Sequence, residues 1–212
     1  MYKEGFGNIP NKDKLRAMFD KAYKQNQGRW IIHSYVIGKT AEKIAPELGL
    51  DSDIALACGS LHDIGKAYGH EGLAHMLEGF RILRAHSYFF PAKIALGHGF
   101  VTDDIDSYHG EVNVSERDYE LIRDLLKMRE KNPYEDLIII LDNLIKYEYL
   151  GLKKREAGRD LKNADKEARL KRMDILRDME ADLISRLKKP IESYLPRPRY
   201  YKFPYKLFRK GK

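Results

Sequence analysis

A single cysteine, Cys58, occurs in the 212-residue sequence, which excludes an internal disulfide. No apolar run approaches the roughly 20 residues that a membrane-spanning helix needs. The N-terminal segment MYKEGFGNIPNKDK is too polar for a secretory signal peptide. We therefore expect a cytoplasmic protein without membrane contact, in which Cys58, within the apolar segment IALACGS, is a buried structural thiol.

Acidic residues are fewer than basic ones: the sequence has 32 Asp and Glu residues and 39 Lys and Arg residues, which give a net charge of +7. This balance suits an anionic ligand such as a nucleotide or a nucleic acid. Much of the excess lies in the run KKREAGRDLKNADKEARLKRMD (residues 153–174) and in the final RPRYYKFPYKLFRKGK (residues 197–212). We interpret the first run as a solvated helix face and the second as a basic tail.

Apolar residues recur at helical spacing along almost the whole chain, whereas no segment shows the two-residue alternation of a strand. Helices are predicted over residues 11–27, 30–48, 52–62, 73–86, 91–98, 116–130, 133–152 and 156–189. Residues 100–114 contain too many turn formers for a helix and are interpreted as an inserted loop. The prediction is an all-α bundle over residues 1–152, followed over 153–212 by a long C-terminal helix and a basic, aromatic tail.

Three predicted helices carry polar residues in apolar surroundings. His62 and Asp63 follow the apolar run DIALACGSL, His33 lies within WIIHSYVIG, and Asp142 lies within LIIILDNLI. A buried ionised aspartate is costly unless a positive group faces it, and either a lysine or a metal ion would meet that need. Each residue alone is more often structural than catalytic. As a set, two imidazoles and two carboxylates suit Mn, Fe, Zn, Mg or Co ions without choosing among them.

The order His, His-Asp, distant Asp, with the central pair inside HDIGK, resembles the HD superfamily of metal-dependent phosphohydrolases. The match extends from His33 to Asp142, just over half of the chain. It implies an all-helical bundle and a divalent metal ion (Mn, Fe, Zn, Mg, Co or Ni). Carried over residue by residue, the resemblance implies four metal ligands: His33, His62, Asp63 and Asp142.

Further residues match the same family beside this ligand set. His75, in HMLEGFRILR, corresponds to an additional ligand or phosphate contact, and His98, in ALGHGF, lies where members with two metals place another histidine. Lys66 matches a lysine that approaches the substrate phosphate. The resemblance therefore implies catalytic roles for Asp63, Lys66, His75 and His98. Since Gly99 replaces a second histidine of the dinuclear members, we expect one tightly bound ion and a weaker second ion through His75 and His98.

The activity implied is hydrolysis of a phosphomonoester or phosphodiester of a nucleotide or similar small metabolite by a metal-activated water. The absence of a GYP triplet argues against the branch that cleaves cyclic dinucleotides, and the HDIGKA context differs from that of the guanosine-tetraphosphate hydrolases. The loop over residues 100–114 contains Tyr108 and His109. It is interpreted either as a wall of the substrate site or as an ordinary surface loop.

The alternative is a nucleic-acid- or nucleotide-binding regulatory protein on the same helical scaffold. Its basic, aromatic tail would contact phosphates and stack on bases. The expected partner is a phosphorylated small molecule or, through the tail, a nucleic acid. The long amphipathic C-terminal helix also makes a homodimer reasonable.

Overall fold

A computed structural model describes residues 1–130, 132–157 and 166–197 of the chain. The described architecture is helical apart from a small hairpin of two antiparallel strands, β1 (Tyr2–Lys3) and β2 (Gly7–Asn8). The α-helices are α1 (Lys12–Gln25), α2 (Trp30–Ile44), α3 (Ser52–Leu61), α4 (Gly72–Ala85), α5 (Phe89–Gly97), α6 (Glu116–Lys127), α7 (Pro133–Leu144), α8 (Gly151–Ala157) and α9 (Lys166–Arg186). The predicted all-α class is confirmed. Among the described residues, no helix combines the length and apolarity required to cross a membrane.

Helix starts follow the capping chemistry of the sequence. The side chain of Asp51 accepts the backbone N–H groups of Asp53 and Ile54 at the start of α3, and Ser115 accepts that of Asp118 at the start of α6. These bonds satisfy donors that have no partner within the helix itself. Both helices therefore begin where the sequence predicts.

The helix predicted over residues 133–152 is shorter than expected. Helix α7 ends at Leu144, because Ile145 adopts an extended conformation and pairs with Tyr149 in an isolated antiparallel bridge. The N–H of Leu150 then donates to the carbonyl of Leu144 and closes the loop at 2.8 Å. The apolar run was misleading because buried residues continue through Ile145 after the helical backbone has ended.

The C-terminal helix predicted over residues 156–189 is represented by α8 and α9, while residues 158–165 between them lie outside the described residues. Helix α9 packs against α7. The predicted basic, aromatic tail also lies outside the described residues from residue 198 onward. The homodimer stays a prediction, as does the division of the chain at residue 152.

Helices α2 and α3 pack at very short range, and this contact positions two of the predicted ligands. A Cβ atom on Gly59 of α3 would lie 2.9 Å from the Cα atom of Gly38 in α2, so the two backbones touch where neither residue has a side chain. Helix α7 packs against both helices. The result places His33, His62 and Asp142 on elements that are in mutual contact.

The predicted inserted loop over residues 100–114 is irregular, with one short 3-10 turn at Ile105–Ser107. It is not purely a surface loop, because Phe100 and Ile105 are buried in a second, smaller apolar cluster. The remaining buried members of that cluster are Leu73, Met76, Leu77, Leu96, Ile122 and Leu126. Apolar anchoring thus fixes the loop against α4, α5 and α6.

Candidate active site

Four histidines and an aspartate converge in the interior of the bundle. The ring centroids of His33 and His62 lie 5.3 Å apart, those of His62 and His98 lie 4.9 Å apart, and those of His75 and His98 lie 5.5 Å apart. All four rings and Asp63 are buried, His62 completely. The structure therefore brings together residues that the sequence separates by up to 65 positions.

Asp63 lies at the centre of this cluster and directs one carboxylate oxygen toward each side. Its Oδ2 atom is 3.6 Å from Nε2 of His62, whereas its Oδ1 atom is 3.1 Å from Nε2 of His75 and 3.6 Å from Nε2 of His98. Two groups of possible metal ligands result: His33, His62 and Asp63, and Asp63, His75 and His98. Within each group the ligand atoms lie within 4.8 Å of one another.

The turn after Asp63 brings His75 back to it. Residues Ile64–Tyr68 form a 3-10 helix, and α4 begins four residues later. Any side chain on Gly65 would overlap the backbone carbonyl of His75, so α4 can approach Asp63 only because residue 65 is glycine. The glycine in HDIGK thus has a packing role.

Three of the histidines are held by backbone carbonyls through their Nδ1 atoms: His33, His62 and His98. The acceptors are Lys146, Gly59 and Ala95, at 2.8, 2.8 and 2.9 Å. Because a carbonyl oxygen only accepts, each Nδ1 must carry the proton, and in the neutral ring Nε2 is then left with its lone pair. Histidine ligands are oriented toward metals by this type of bond.

Asp142 faces His33 and an arginine that the sequence analysis missed. Its Oδ1 atom is 2.9 Å from Nε2 of His33 and 3.4 Å from a terminal nitrogen of Arg155. Arg155 also donates twice to the backbone carbonyl of Asp142, at 3.0 and 3.2 Å. The predicted positive partner of Asp142 is therefore present, but the residue lies near the end of α7, with its side chain 16% exposed, and not in the middle of the helix.

The donor chemistry of the cluster fits a divalent metal ion. Among the described residues, Nε2 of His62 and Nδ1 of His75 are buried without a hydrogen-bond partner. Burial lowers the pKa of His62 to about 3 and also lowers the pKa of His75, so both rings are neutral at neutral pH, the form that binds metals. Buried nitrogens without partners are otherwise costly.

The two carboxylates remain ionised despite their surroundings. Burial alone would raise the pKa of Asp63, but the charge of Lys66 and the neighbouring imidazoles hold it well below its ordinary value. Burial would likewise raise the pKa of Asp142, but the contact with His33 and the charge of Arg155 hold it well below its ordinary value. Neutral imidazoles and ionised carboxylates together form a ligand set for a divalent cation.

Lys66 lies at the edge of the cluster and forms an ion pair with Asp63. Its ammonium donates to Oδ2 of Asp63 at 2.9 Å and lies 3.8 Å from a carboxylate oxygen of Glu71. Burial would lower the pKa of Lys66, yet the charge of Asp63 more than offsets this and raises it. The lysine is therefore positively charged and fixes the carboxylate of Asp63.

The cluster forms one wall of a cavity of about 450 Å³. Apart from Lys66, its cationic lining comes from Lys146, Arg155 and Arg172. Arg172, on α9, is buried and donates to the carbonyl of Gly99 and to the side chain of Asn143, both at 3.3 Å. The interpretation of residues 153–174 as a solvated helix face is therefore wrong for Arg155 and Arg172.

No signal in a run of charged residues distinguishes an inward arginine from its solvated neighbours, which explains that error.

The loop over residues 100–114 does provide a wall, since Tyr108 and His109 line the cavity. His70 is exposed and does not line it. Trp30 also lines the cavity. It lies one helical turn before His33 on α2, and this spacing was the one feature of the sequence that indicated its position near the site.

A model of the HD domain matches residues 30–170, two thirds of the chain. The chain belongs to the HD domain family. The match includes α2 to α8 and reaches beyond the division predicted at residue 152. No solved structure was found to match.

Several proteins named Ribonuclease Y resemble this HD domain protein over part of its length. That of Lactobacillus helveticus is 32% identical over 105 residues, which are 48% of this chain and 18% of the relative. That of Streptococcus agalactiae serotype III is 36% identical over 115 residues, 52% of this chain and 19% of the relative. The chain thus spans less than one fifth of the length of these relatives.

Family membership and the buried His/Asp clusters together indicate a metal-dependent phosphohydrolase. The predicted resemblance to the HD superfamily is confirmed by the family match. The clusters are able to hold a divalent metal ion in a cavity whose cationic lining suits a phosphorylated substrate.

Proposed function

We propose that this HD domain protein hydrolyses a phosphomonoester or phosphodiester of a nucleotide or similar small metabolite. The observation that carries the proposal is the position of Asp63, which joins two groups of histidine ligands in the wall of a cationic cavity. Phosphoester hydrolysis requires both activation of water and neutralisation of phosphate charge. The ligand groups serve the first requirement and the cationic side chains serve the second.

The tightly bound ion is assigned to His33, His62, Asp63 and Asp142, as the HD resemblance implies. Support comes from the ligand atoms of His33, His62 and Asp63, which lie within 4.8 Å of one another, and from Oδ1 of Asp142, which is 2.9 Å from Nε2 of His33. A weaker second ion is assigned to His75 and His98, with Asp63 shared. It has three protein ligands instead of four, which is why we expect it to dissociate first.

A divalent ion in this site would supply Lewis acidity to a phosphoryl oxygen and would lower the pKa of a coordinated water. The chain supplies the remaining functions. Lys66 holds Asp63 ionised and in position at 2.9 Å. Arg155 fixes Asp142 through its backbone and its carboxylate. The ammonium of Lys66 and the guanidinium of Arg172, both in the cavity lining, attract the phosphate.

The proposal is tested by assaying purified protein against phosphomonoesters and phosphodiesters in the presence of Mn, Fe, Co, Ni, Zn or Mg ions. We expect metal-dependent turnover that is lost with a chelator and restored by adding the ion back. Absence of turnover with every ion and every ester would contradict the proposal.

The second candidate is an RNA phosphodiester substrate, and the similarity to proteins named Ribonuclease Y favours it. It is examined by RNA binding and cleavage, and by truncation after Pro196, which retains every proposed ligand and the buried Ile191 and Tyr194. If the tail binds nucleic acid, the truncated chain should bind RNA more weakly at low salt and with a flatter salt dependence. RNA binding without cleavage or other turnover would favour the regulatory alternative.

A further inference from the structure

One edge of the metal-site cavity, next to His33, carries aromatic and cationic side chains that ion binding does not explain. Trp30, Lys146 and Tyr147 line the cavity; Trp30 lies one helical turn before His33, and the Lys146 carbonyl accepts from that histidine. None of the three belongs to the proposed ligand set. Their aromatic and cationic chemistry suits a part of the substrate that lies beyond the ion.

Trp30 is held in a fixed orientation by the backbone before α2. A Cβ atom on Gly28 would lie 2.6 Å from Cδ1 and 3.1 Å from Nε1 of the indole, so this edge of the ring rests directly on the glycine backbone. Trp30 is half-buried and lies one helical turn before His33. A half-buried indole held this way offers a preorganised apolar surface at low entropic cost.

Lys146 and Tyr147 are positioned by the same histidine. The backbone carbonyl of Lys146 accepts the Nδ1 proton of His33 at 2.8 Å, and the bridge between Ile145 and Tyr149 closes the short loop around them. The Lys146 ammonium lies 5.9 Å from the centroid of the Tyr147 ring. An exposed cation next to a half-buried aromatic ring is thus coupled to a residue of the metal cluster.

We propose that Trp30, Lys146 and Tyr147 form a nucleoside subsite, in which a nucleobase stacks on the aromatic side chains and Lys146 contacts a phosphate or ribose oxygen. Aromatic rings bind bases because every base presents a flat π-face, and an adjacent ammonium adds attraction to phosphate. A substrate without a base would leave these surfaces unused. The subsite restricts the substrate class to nucleotides. Its placement beside the scissile phosphate rests on the proposed function.

The test uses Trp30 itself, because it is the single tryptophan of the chain and reports binding by fluorescence. The protein as purified, with its ions, is titrated with the phosphonate analogue of AMP, whose P–C bond resists hydrolysis, and with methylphosphonate as the base-free ligand. We expect saturable quenching by the nucleoside phosphonate, with affinity at least about tenfold above that of methylphosphonate measured by competition.

Variants distinguish the subsite from general anion binding. Tyr147→Ala should weaken the nucleoside phosphonate about fivefold to a hundredfold and leave methylphosphonate within about twofold, and Lys146→Ala should weaken the nucleoside phosphonate as well. Tyr2→Ala, an exposed tyrosine of the N-terminal hairpin, is the control and should change neither affinity. Trp30→Phe, which keeps an aromatic ring, should retain most of the preference when measured by calorimetry.

Equal affinities for the two phosphonates, or a Tyr147→Ala variant with unchanged preference, would overturn the nucleoside subsite. The outcome is separable from that of the proposed function, because binding is measured without turnover. A protein that binds the nucleoside phosphonate but hydrolyses no ester would refute the proposed function and keep the subsite. An enzyme that hydrolyses esters but binds both phosphonates equally would refute the subsite and keep the proposed function.

Discussion

The Nε2 atom of His33 lies 2.9 Å from Oδ1 of Asp142, while the Nδ1 proton of the same ring is already donated to the carbonyl of Lys146. In a neutral imidazole the short contact would therefore oppose two lone pairs. Either a second proton on His33 or a metal ion beside both atoms relieves the repulsion. The unpartnered Nε2 of the neighbouring His62 favours the ion, because His62, His33 and Asp63 offer ligand atoms within 4.8 Å of one another.

Replacing the shared carboxylate should abolish activity without unfolding the protein. Asp63→Asn keeps the shape of the side chain but removes a charged ligand, and we expect turnover to fall at least about a hundredfold. Helicity measured by circular dichroism should be unchanged, since no apolar contact is lost. Asp13→Asn, at a carboxylate that is 83% exposed, is the control and should retain full activity. Substantial turnover of Asp63→Asn in metal-replete buffer would remove Asp63 from catalysis.

The two ligand groups predict two different ion affinities. Protein dialysed without chelator should retain one equivalent of metal by elemental analysis, and His98→Ala should keep that equivalent while losing the weaker second one. The exposed His86 serves as the control in His86→Ala, which should retain one equivalent after dialysis and bind the weaker second ion when metal is added back, as the unmodified protein does. Two equivalents that survive extensive dialysis of the unmodified protein would show the mononuclear preference to be wrong.

Arg155 should act on the ion through Asp142. Arg155→Met removes three donated hydrogen bonds from the backbone and side chain of Asp142, and we expect affinity for Mn²⁺ measured by calorimetry to fall about tenfold to a hundredfold. Arg155→Lys should be intermediate, because one ammonium cannot reproduce the guanidinium fork. Arg177→Met, at an exposed ion pair on α9, provides the matched control. Unchanged affinity in Arg155→Met would contradict the positioning role.

Glu135 predicts a pH dependence of stability. Burial raises its pKa from 4.5 to about 7, against the opposing charge of Arg129. The folded chain thus keeps this proton up to about pH 7, while the unfolded chain releases it near pH 4.5, so the contribution to stability falls as pH rises through this window. Glu135→Gln should reduce the difference in unfolding free energy between pH 4.5 and 8 by up to roughly 3 kcal/mol.

Urea unfolding of the unmodified protein and the Glu135→Gln variant at both pH values measures this difference. Glu116→Gln, at an exposed residue, controls for loss of a carboxylate and should behave as the unmodified protein. An identical pH difference in Glu135→Gln and the unmodified chain would show that Glu135 does not titrate in this window.

The helices and the predicted ligands could be found from the sequence because their signals are local. Asp51 and Ser115 cap helices within three residues, and HDIGK places two proposed ligands side by side. The end of α7 could not be found in the same way. It is marked by the extended Ile145 and its bridge to Tyr149, and the next residue, Lys146, contacts His33, which is 113 positions away.

The inward arginines were missed for a related reason. Arg155 and Arg172 lie in a run of charges whose composition is that of a solvated helix, and only the docking of α8 and α9 on α7 turns these two side chains toward the cavity. Tertiary packing, not local pattern, selects them. The same holds for Tyr147, whose position follows from the bridge between Ile145 and Tyr149.

The most direct test of the metal-dependent account is the anomalous scattering of Mn²⁺ in crystals of catalytically active protein, recorded at the manganese absorption edge. The account predicts the strongest peak among His33, His62, Asp63 and Asp142, with a weaker peak, if occupied, among Asp63, His75 and His98. Active protein whose anomalous map has no peak within coordination distance of Asp63 would contradict it.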